Sequence, residues 1–152
     1  MDQIKQIKVN AINNGTVIDH ITAGKVRKVL DILHLDGTET VMLGMNLNSN
    51  KLGKKAIIKI ENKELSQFEV NSIALIAPEA TLIIIKNFEV VKKTKLHIPE
   101  YIEDIVDCPN PKCITNKETI KSKFKLTNDT PPQVRCIYCE KKYLIEQVQI
   151  KK

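Results

Sequence analysis

The sequence predicts an α+β chain in two parts, on three observations. β-branched runs and amphipathic helical stretches alternate over the first hundred residues in the order strand, helix, strand, strand, helix, strand. All four cysteines lie in the last third of the 152 residues. That third, 105–152, also holds 10 Lys/Arg against 5 Asp/Glu, so it carries most of the net charge of +6. The composition shifts near residue 100, and the expected parts are 1–98 and 99–152.

"IKQIKVNAI" (4–12) alternates and is β-branched, and is read as the first strand. "NNG" (13–15) is a turn or bulge signal, and "GTVIDHI" (15–21) follows it as a polar corner. Val26, Val29, Leu30 and Leu33 form one helical stripe, with Thr22 as its expected N-cap. "TETVMLGMNL" (38–47) and "AIIKIEN" (56–62) read as a strand pair around the loop "NSNKLGKK". Ser66 and Glu69 make a capping box, and Leu65 with Val70 has the hydrophobic-staple spacing. The helix they open should run from Gln67 to Ala77, before Pro78. "ATLIII" (80–85) and "FEVVKK" (88–93) read as strands joined by "KN". The expected N-terminal fold is therefore ferredoxin-like, βαββαβ plus an extra strand. "PEYIEDIV" (99–106) is expected to be a short connecting helix.

The cysteines read C-x4-C, 22 residues, then C-x2-C, at Cys108, Cys113, Cys136 and Cys139. Two such knuckles can bring four thiolates onto one tetrahedral Zn²⁺. Nothing in the sequence indicates export, and disulfides are rare inside cells, so a disulfide pairing is disfavoured. Four cysteines fill the coordination shell, which favours a structural ion over a catalytic one. So short an all-β segment buries too little apolar surface to fold alone. Metal binding contributes on the order of 10 kcal/mol to such folds. The C-terminal part is therefore expected to be a small all-β zinc-ribbon-like domain. A basic ribbon could also bind nucleic acid. Against that, its aromatic residues are few: Phe124, Tyr138 and Tyr143.

Asp19 and His20 sit side by side in an apolar run. They suit proton chemistry, a charged ligand, or only a polar turn. The chain has no G-x-S-x-G, no spare cysteine and no paired carboxylates for a catalytic pair to serve. His34 and His97 stand alone and read as surface residues. Lys59 interrupts an apolar strand, and Lys92 and Lys93 end another. Near His20, such lysines would suit phosphates, and Asp19 could accept from a ribose hydroxyl. No Walker A or G-x-G-x-x-G loop is present. No run of 18 apolar residues and no N-terminal apolar segment of secretory type is seen, which gives a cytoplasmic expectation without a membrane partner.

"GTVIDHI", "IKIEN", "IALIAPEAT", "CPNPKCI" and "CIYCEKKY" resemble, in order and spacing, the regulatory chains of aspartate carbamoyltransferase. The resemblance runs from about residue 7 to the end. It implies a non-catalytic allosteric subunit of pyrimidine biosynthesis, inhibited through CTP or UTP and activated through ATP. It implies a homodimer of regulatory chains, a catalytic-chain partner docked on the zinc domain, and a dodecamer of two catalytic trimers bridged by three regulatory dimers. No nucleic-acid partner is implied. By the same resemblance Asp19 and Lys59 would contact ribose and base, and His20 and Lys93 would face the triphosphate. Val9, Ala11 and Ile12 would line the base pocket, with backbone groups of Ile12 and Phe88 reading the base. Ile57, Ile85 and Val90 would complete its wall, and Cys108, Cys113, Cys136 and Cys139 would hold one zinc ion.

Two positions depart from the family pattern near this effector site. Asn10 stands where the family often has an acid, and Ile83 where it has an asparagine. Losing a carboxylate eases anion binding, and losing an amide removes a hydrogen-bonding group. The preference among the three nucleotides is therefore open at this point.

Overall fold

The computed structural model describes residues 12–151. The strand expected at 4–12, with Val9, Asn10 and Ala11, lies outside them, except for Ile12. The expected βαββαβ order is present, but its first strand is the stretch read as a polar corner. β1 (Gly15–Thr22) is followed by α1 (Val26–Leu33), β2 (Val41–Ser49), β3 (Gly53–Glu61), α2 (Gln67–Ile76) and β4 (Thr81–Lys86). The added strand is β5 (Glu89–Lys95). The sheet order is β2-β3-β1-β4-β5, with β1 central and antiparallel to both neighbours.

β1 departs from strict alternation for a physical reason. Thr16 and Ile18 point into the core, so period 2 would put His20 inside and Ile21 outside. The pairing with β3 shifts register between Ile18 and Ile21, and His20 takes φ 57°. This bulge adds one residue to the strand. Ile21 returns to the core, fully buried, while Asp19 and His20 stay half-buried. The strand opens at Gly15, with φ 146°, where an added Cβ would lie 2.1 Å from the Ile60 carbonyl oxygen.

Both helices cover one face. Val26, Val29, Ile32 and Leu33 of α1 pack with Ile73 and Ala74 of α2 over Ile18, Ile21, Ile58 and Ile60. Thr22 is not the cap of α1. It ends β1, its carbonyl accepts from Lys25 N–H at 3.0 Å, and Lys25 occupies the N-cap with no side-chain bond. The capping box of α2 is as expected: Ser66 Oγ accepts from Glu69 N–H at 3.1 Å, and Glu69 Oε1 accepts from Ser66 N–H at 3.0 Å. β4 and β5 turn on Asn87 and Phe88, with φ of 53° and 64°. That is the hairpin geometry of a type I′ turn, so Phe88 belongs to the turn and not to the strand.

The helix expected at 99–106 does not form. Two short strands replace it, β6 (Tyr101–Glu103) and β7 (Val106–Asp107). Ile102 pairs opposite Phe124, and both are fully buried. Asp104, with φ 55°, breaks the segment, and its N–H goes to the Ser122 carbonyl. Ile102, Ile105 and Val106 would line one stripe of a helix as readily, so their spacing did not decide the matter; the sheet partner did. The ribbon continues through a single turn α3 (Ile114–Lys117), β8 (Lys123–Leu126), β9 (Gln133–Cys136), β10 (Lys142–Leu144) and β11 (Gln149–Ile150). Its four-stranded sheet has the order β10-β9-β8-β6, and β11 pairs with β7. The core is small: Ile102, Ile105, Val106, Phe124 and Val134, with three of the cysteines and Leu75 from α2.

Gly15→Ala forces the 2.1 Å contact against backbone, in a conformation that L side chains rarely adopt. The expected loss is at least ~2 kcal/mol. Urea unfolding with metal present measures it, and an unchanged midpoint would show that β1 does not need the close approach.

Candidate metal centre and ligand face

Cys108 and Cys113 flank the turn before α3, while Cys136 and Cys139 flank the turn between β9 and β10. The Cys113 N–H donates to the Asn110 carbonyl at 3.0 Å, and the Glu140 N–H to the Cys136 carbonyl at 2.8 Å, closing both knuckles. The Asn116 side chain donates to the carbonyls of Cys108 and Asn110, each at 2.7 Å. The four sulfurs lie within 4.8 Å of one another, with Cys108–Cys139 and Cys113–Cys136 both at 3.7 Å. A disulfide needs about 2.05 Å, so none of these sulfurs is bonded to another. A tetrahedral ion about 2.3 Å from each sulfur sets edges of about 3.8 Å. The cluster fits that ion.

The thiols are set apart by environment. Burial pushes Cys108 well above the ordinary thiol range, reinforced by its bond with Cys139, against the pull of the Asn110 N–H. Burial likewise raises Cys136, although the Cys139 and Tyr138 amides face its sulfur. At Cys139 burial also acts upward, but the Lys141 N–H and the Asn110 side chain outweigh it and bring the thiol down to about 7. The Thr115 hydroxyl donates to Cys113 Sγ at 3.1 Å. Donors aimed at sulfur stabilise thiolates, and these partners orient the ligands as much as the spacing does. The spacing alone does not reveal Asn110, Thr115 or Asn116.

The second constellation lies on the sheet face opposite the helices. Strand register orders it in rows. Glu61, Gly15, Ile85 and Val90 stand opposite one another across β3, β1, β4 and β5. The next row is Met42, Lys59, Val17, Ile83 and Lys93. The third contains Asp19, Thr81 and Lys95, beside Ile57 at the bulge. Lys59 and Lys93 thus share a face but are three strand spacings apart, about 14 Å. Val17 and Ile83 lie between them. The departure at Ile83 therefore falls in the middle of the face.

Asp19 does not pair with Lys59. Its Oδ1 takes the Lys55 ammonium at 2.8 Å and the His20 N–H at 2.6 Å. Burial would raise this carboxyl, but Lys55 and the His20 amide outweigh it and hold it below the ordinary range. Both short contacts fall on Oδ1, so Oδ2 is the oxygen suited to accept from a hydroxyl. His20 Nδ1 lies 3.1 Å from Thr81 Oγ1, which anchors the ring. Ile12 is buried just ahead of β1. The Phe88 N–H donates to the Asn13 carbonyl at 2.9 Å, so a base read there would use the Phe88 carbonyl. Phe88 and Val90 are exposed, and Ile57 and Ile85 are half-buried. Lys55 and Thr81 were not singled out in the sequence, though the alternation Lys55, Ile57, Lys59 puts Lys55 on the same face. His34 and His97 are exposed, as read.

Residues 7–97 match a family model described as the aspartate carbamoyltransferase regulatory chain, allosteric domain. Residues 100–149 match one described as the aspartate carbamoyltransferase regulatory chain, metal binding domain. Similar curated proteins carry the name aspartate carbamoyltransferase regulatory chain. The one from Thermococcus sibiricus is 51% identical over 138 residues, covering 91% of this chain and 92% of its own length. That from Pyrococcus horikoshii is 51% identical over 146 residues, covering 94% and 96%. That from Methanocaldococcus jannaschii is 48% identical over 141 residues, covering 93% and 95%.

Metal and protons compete for the four sulfurs, so binding should release protons and weaken as pH falls. Titration with Co²⁺ should give thiolate charge-transfer absorbance at neutral pH and a declining affinity toward pH 6. Equal affinity at pH 6 and pH 8 would mean that the cysteines do not bind as thiolates.

Proposed function

The chain belongs to the aspartate carbamoyltransferase regulatory-chain family, and we propose that its helix-free sheet face is the effector site, taking CTP or UTP as inhibitors and ATP as activator. Like the family, the chain is a non-catalytic regulatory subunit. The observation that carries the site is the row pattern: an apolar end, a row with Lys59 and Lys93 at its flanks, and the Asp19–His20 bulge beside it. A nucleotide lies along such a face with its base toward Ile12, Ile85, Val90 and the Phe88 carbonyl. Asp19 Oδ2 accepts from the ribose, and Lys59 lies between ribose and base. His20 and Lys93 face the phosphates, with Lys55 supplying a further cation where it holds Asp19. An effector shifts the enzyme only if it binds two global states unequally.

In this reading residues 1–98 form the allosteric unit and 99–152 the metal unit, in keeping with a first sheet ending at Lys95 and a second opening at Tyr101. Cys108, Cys113, Cys136 and Cys139 hold one structural Zn²⁺, supported by the tetrahedral spacing of their sulfurs. The ion contributes no step of chemistry; it fixes the two knuckles that shape the ribbon. The metal unit docks on the catalytic chain, and regulatory dimers bridge two catalytic trimers, three dimers to an assembly, in the cytoplasm. Among the described residues no helix is long and apolar enough to cross a membrane. Nucleic acid is not part of the reading: Phe124, one of the aromatics a stacking surface would use, is fully buried.

The two edges of the first sheet differ in a way that supports the dimer. β5 carries Lys92, Lys93 and Lys95, which discourage edge pairing. β2 (VMLGMNLNS) has no charge and exposes Leu43 and Met45, at 43% and 58%.

Lys93→Ala should weaken CTP and ATP binding about tenfold, ~1.4 kcal/mol, while metal content stays full. Unaltered affinities by titration calorimetry would rule this face out. Met45→Lys should shift regulatory dimers toward monomers in sedimentation, and a dimer of wild-type strength would place the contact elsewhere.

A further inference from the structure

The outer face of the ribbon sheet holds a feature that neither the metal centre nor the effector face uses. Register places Tyr101 of β6, Lys125 of β8, Arg135 of β9 and Lys142 of β10 directly opposite one another in one row. Three successive strands thus oppose cation to cation. Like charges at directly opposed positions destabilise a sheet. The local compensation is partial. Lys142 has Asp129 at 3.3 Å, and Lys123, one step along, has Glu103 at 3.4 Å. Among the described residues neither Lys125 nor Arg135 has a carboxylate within ion-pair distance. An opposed anionic surface would relieve the row.

We propose that this face receives an acidic surface of the catalytic chain, with Lys125 and Arg135 as the paired cations and Tyr101 as the apolar anchor. The proposal rests on the reading of the chain as a regulatory subunit and goes beyond it by naming the face and the chemistry of its partner. The uncompensated cations carry it, since an acidic surface complements them, and so does composition: an exposed tyrosine and an arginine in one row are residue types that protein interfaces favour. A second copy of this chain would oppose cations to cations. A single nucleic-acid strand needs an open aromatic face. The row offers one ring only, Tyr101, with the ammonium groups of Lys123 and Lys125 at 4.9 and 5.7 Å from its centroid.

The test is association of the full-length, metal-loaded chain with the catalytic trimer, followed across salt concentrations. K125E/R135E should lower the affinity at least tenfold and flatten its salt dependence, with K125Q/R135Q intermediate. Metal content and nucleotide affinity should stay at wild-type values, which shows that both variants fold. Association of K125E/R135E at wild-type strength would overturn the proposal. So would variants that keep the trimer but lose binding to a short oligonucleotide held by the wild type, since the face would then serve nucleic acid. If the wild-type chain does not bind the trimer at all, the regulatory reading falls with it. Failure of the proposal alone shows as wild-type binding that the variants leave intact.

Discussion

One extra residue in the central strand decides where the polar chemistry of the first domain lies. Between Ile18 and Ile21 the strand bulges, and Asp19 and His20 occupy the added length. Without it, one of the two would enter an aliphatic core that offers a carboxylate or imidazole no partner, at a cost of several kcal/mol for a charged group. With it, Ile21 stays buried and both polar groups reach the opposite face. The bulge also creates their partners: Oδ1 of Asp19 is met by the His20 amide of the bulge itself, and the imidazole meets Thr81 on β4. Lys55 completes the corner from β3. Sheet closure and this polar corner are one piece of geometry.

The ribbon has the opposite economy. Its own apolar core is five aliphatic and aromatic side chains, to which three cysteines and Leu75 are added. Burial raises the thiols of Cys108 and Cys136, so without metal these positions favour neutral sulfur, and the knuckles are then held by backbone turns and two side chains, Asn110 and Asn116. Metal replaces those protons with one shared charge and fixes the two knuckles together. The metal thus does the work that a larger core does in the first domain, where β1, β3 and two helices close on fourteen buried residues.

What was legible in the sequence follows the range of the interactions. The capping box at Ser66 and Glu69 is local, and it stands as read. The cysteine spacing is nearly as local, and its sulfurs converge. "GTVIDHI" was misread because a bulge breaks period 2, and the fault is visible only once β3 is placed beside it. The segment 99–106 was misread because Ile102, Ile105 and Val106 satisfy a helix stripe and a sheet equally, and Phe124, 22 residues on, selects the sheet. Thr22 looks like a cap by residue type, yet three residues of turn separate it from the helix. Of the proposed ligand face, Asp19, His20, Lys59 and Lys93 were named from the sequence. Lys55 and Thr81 were not, because their part depends on which strands are neighbours.

The two parts share physical elements as well as a chain. Leu75 leaves α2, which packs under the ligand-bearing sheet, and enters the ribbon core; Ile150 of β11 packs against both cores. Beside these contacts a cleft of about 1180 Å³ separates Ile32 and Ile76 from Val106, Ile145 and Val148. The joint thus consists of Leu75, buried, and Ile150, partly buried, next to open space. Spatial continuity of this sort is a route and not yet a coupling, because coupling requires that both sites bias the same two-state element. In the proposed reading, a nucleotide on β1, β4 and β5 would act on the sheet that α2 covers, and a catalytic chain on the ribbon would act on the core that holds Leu75. Substitutions at Leu75 or Ile150 would therefore alter how strongly one site feels the other, while leaving the contacts of each ligand in place.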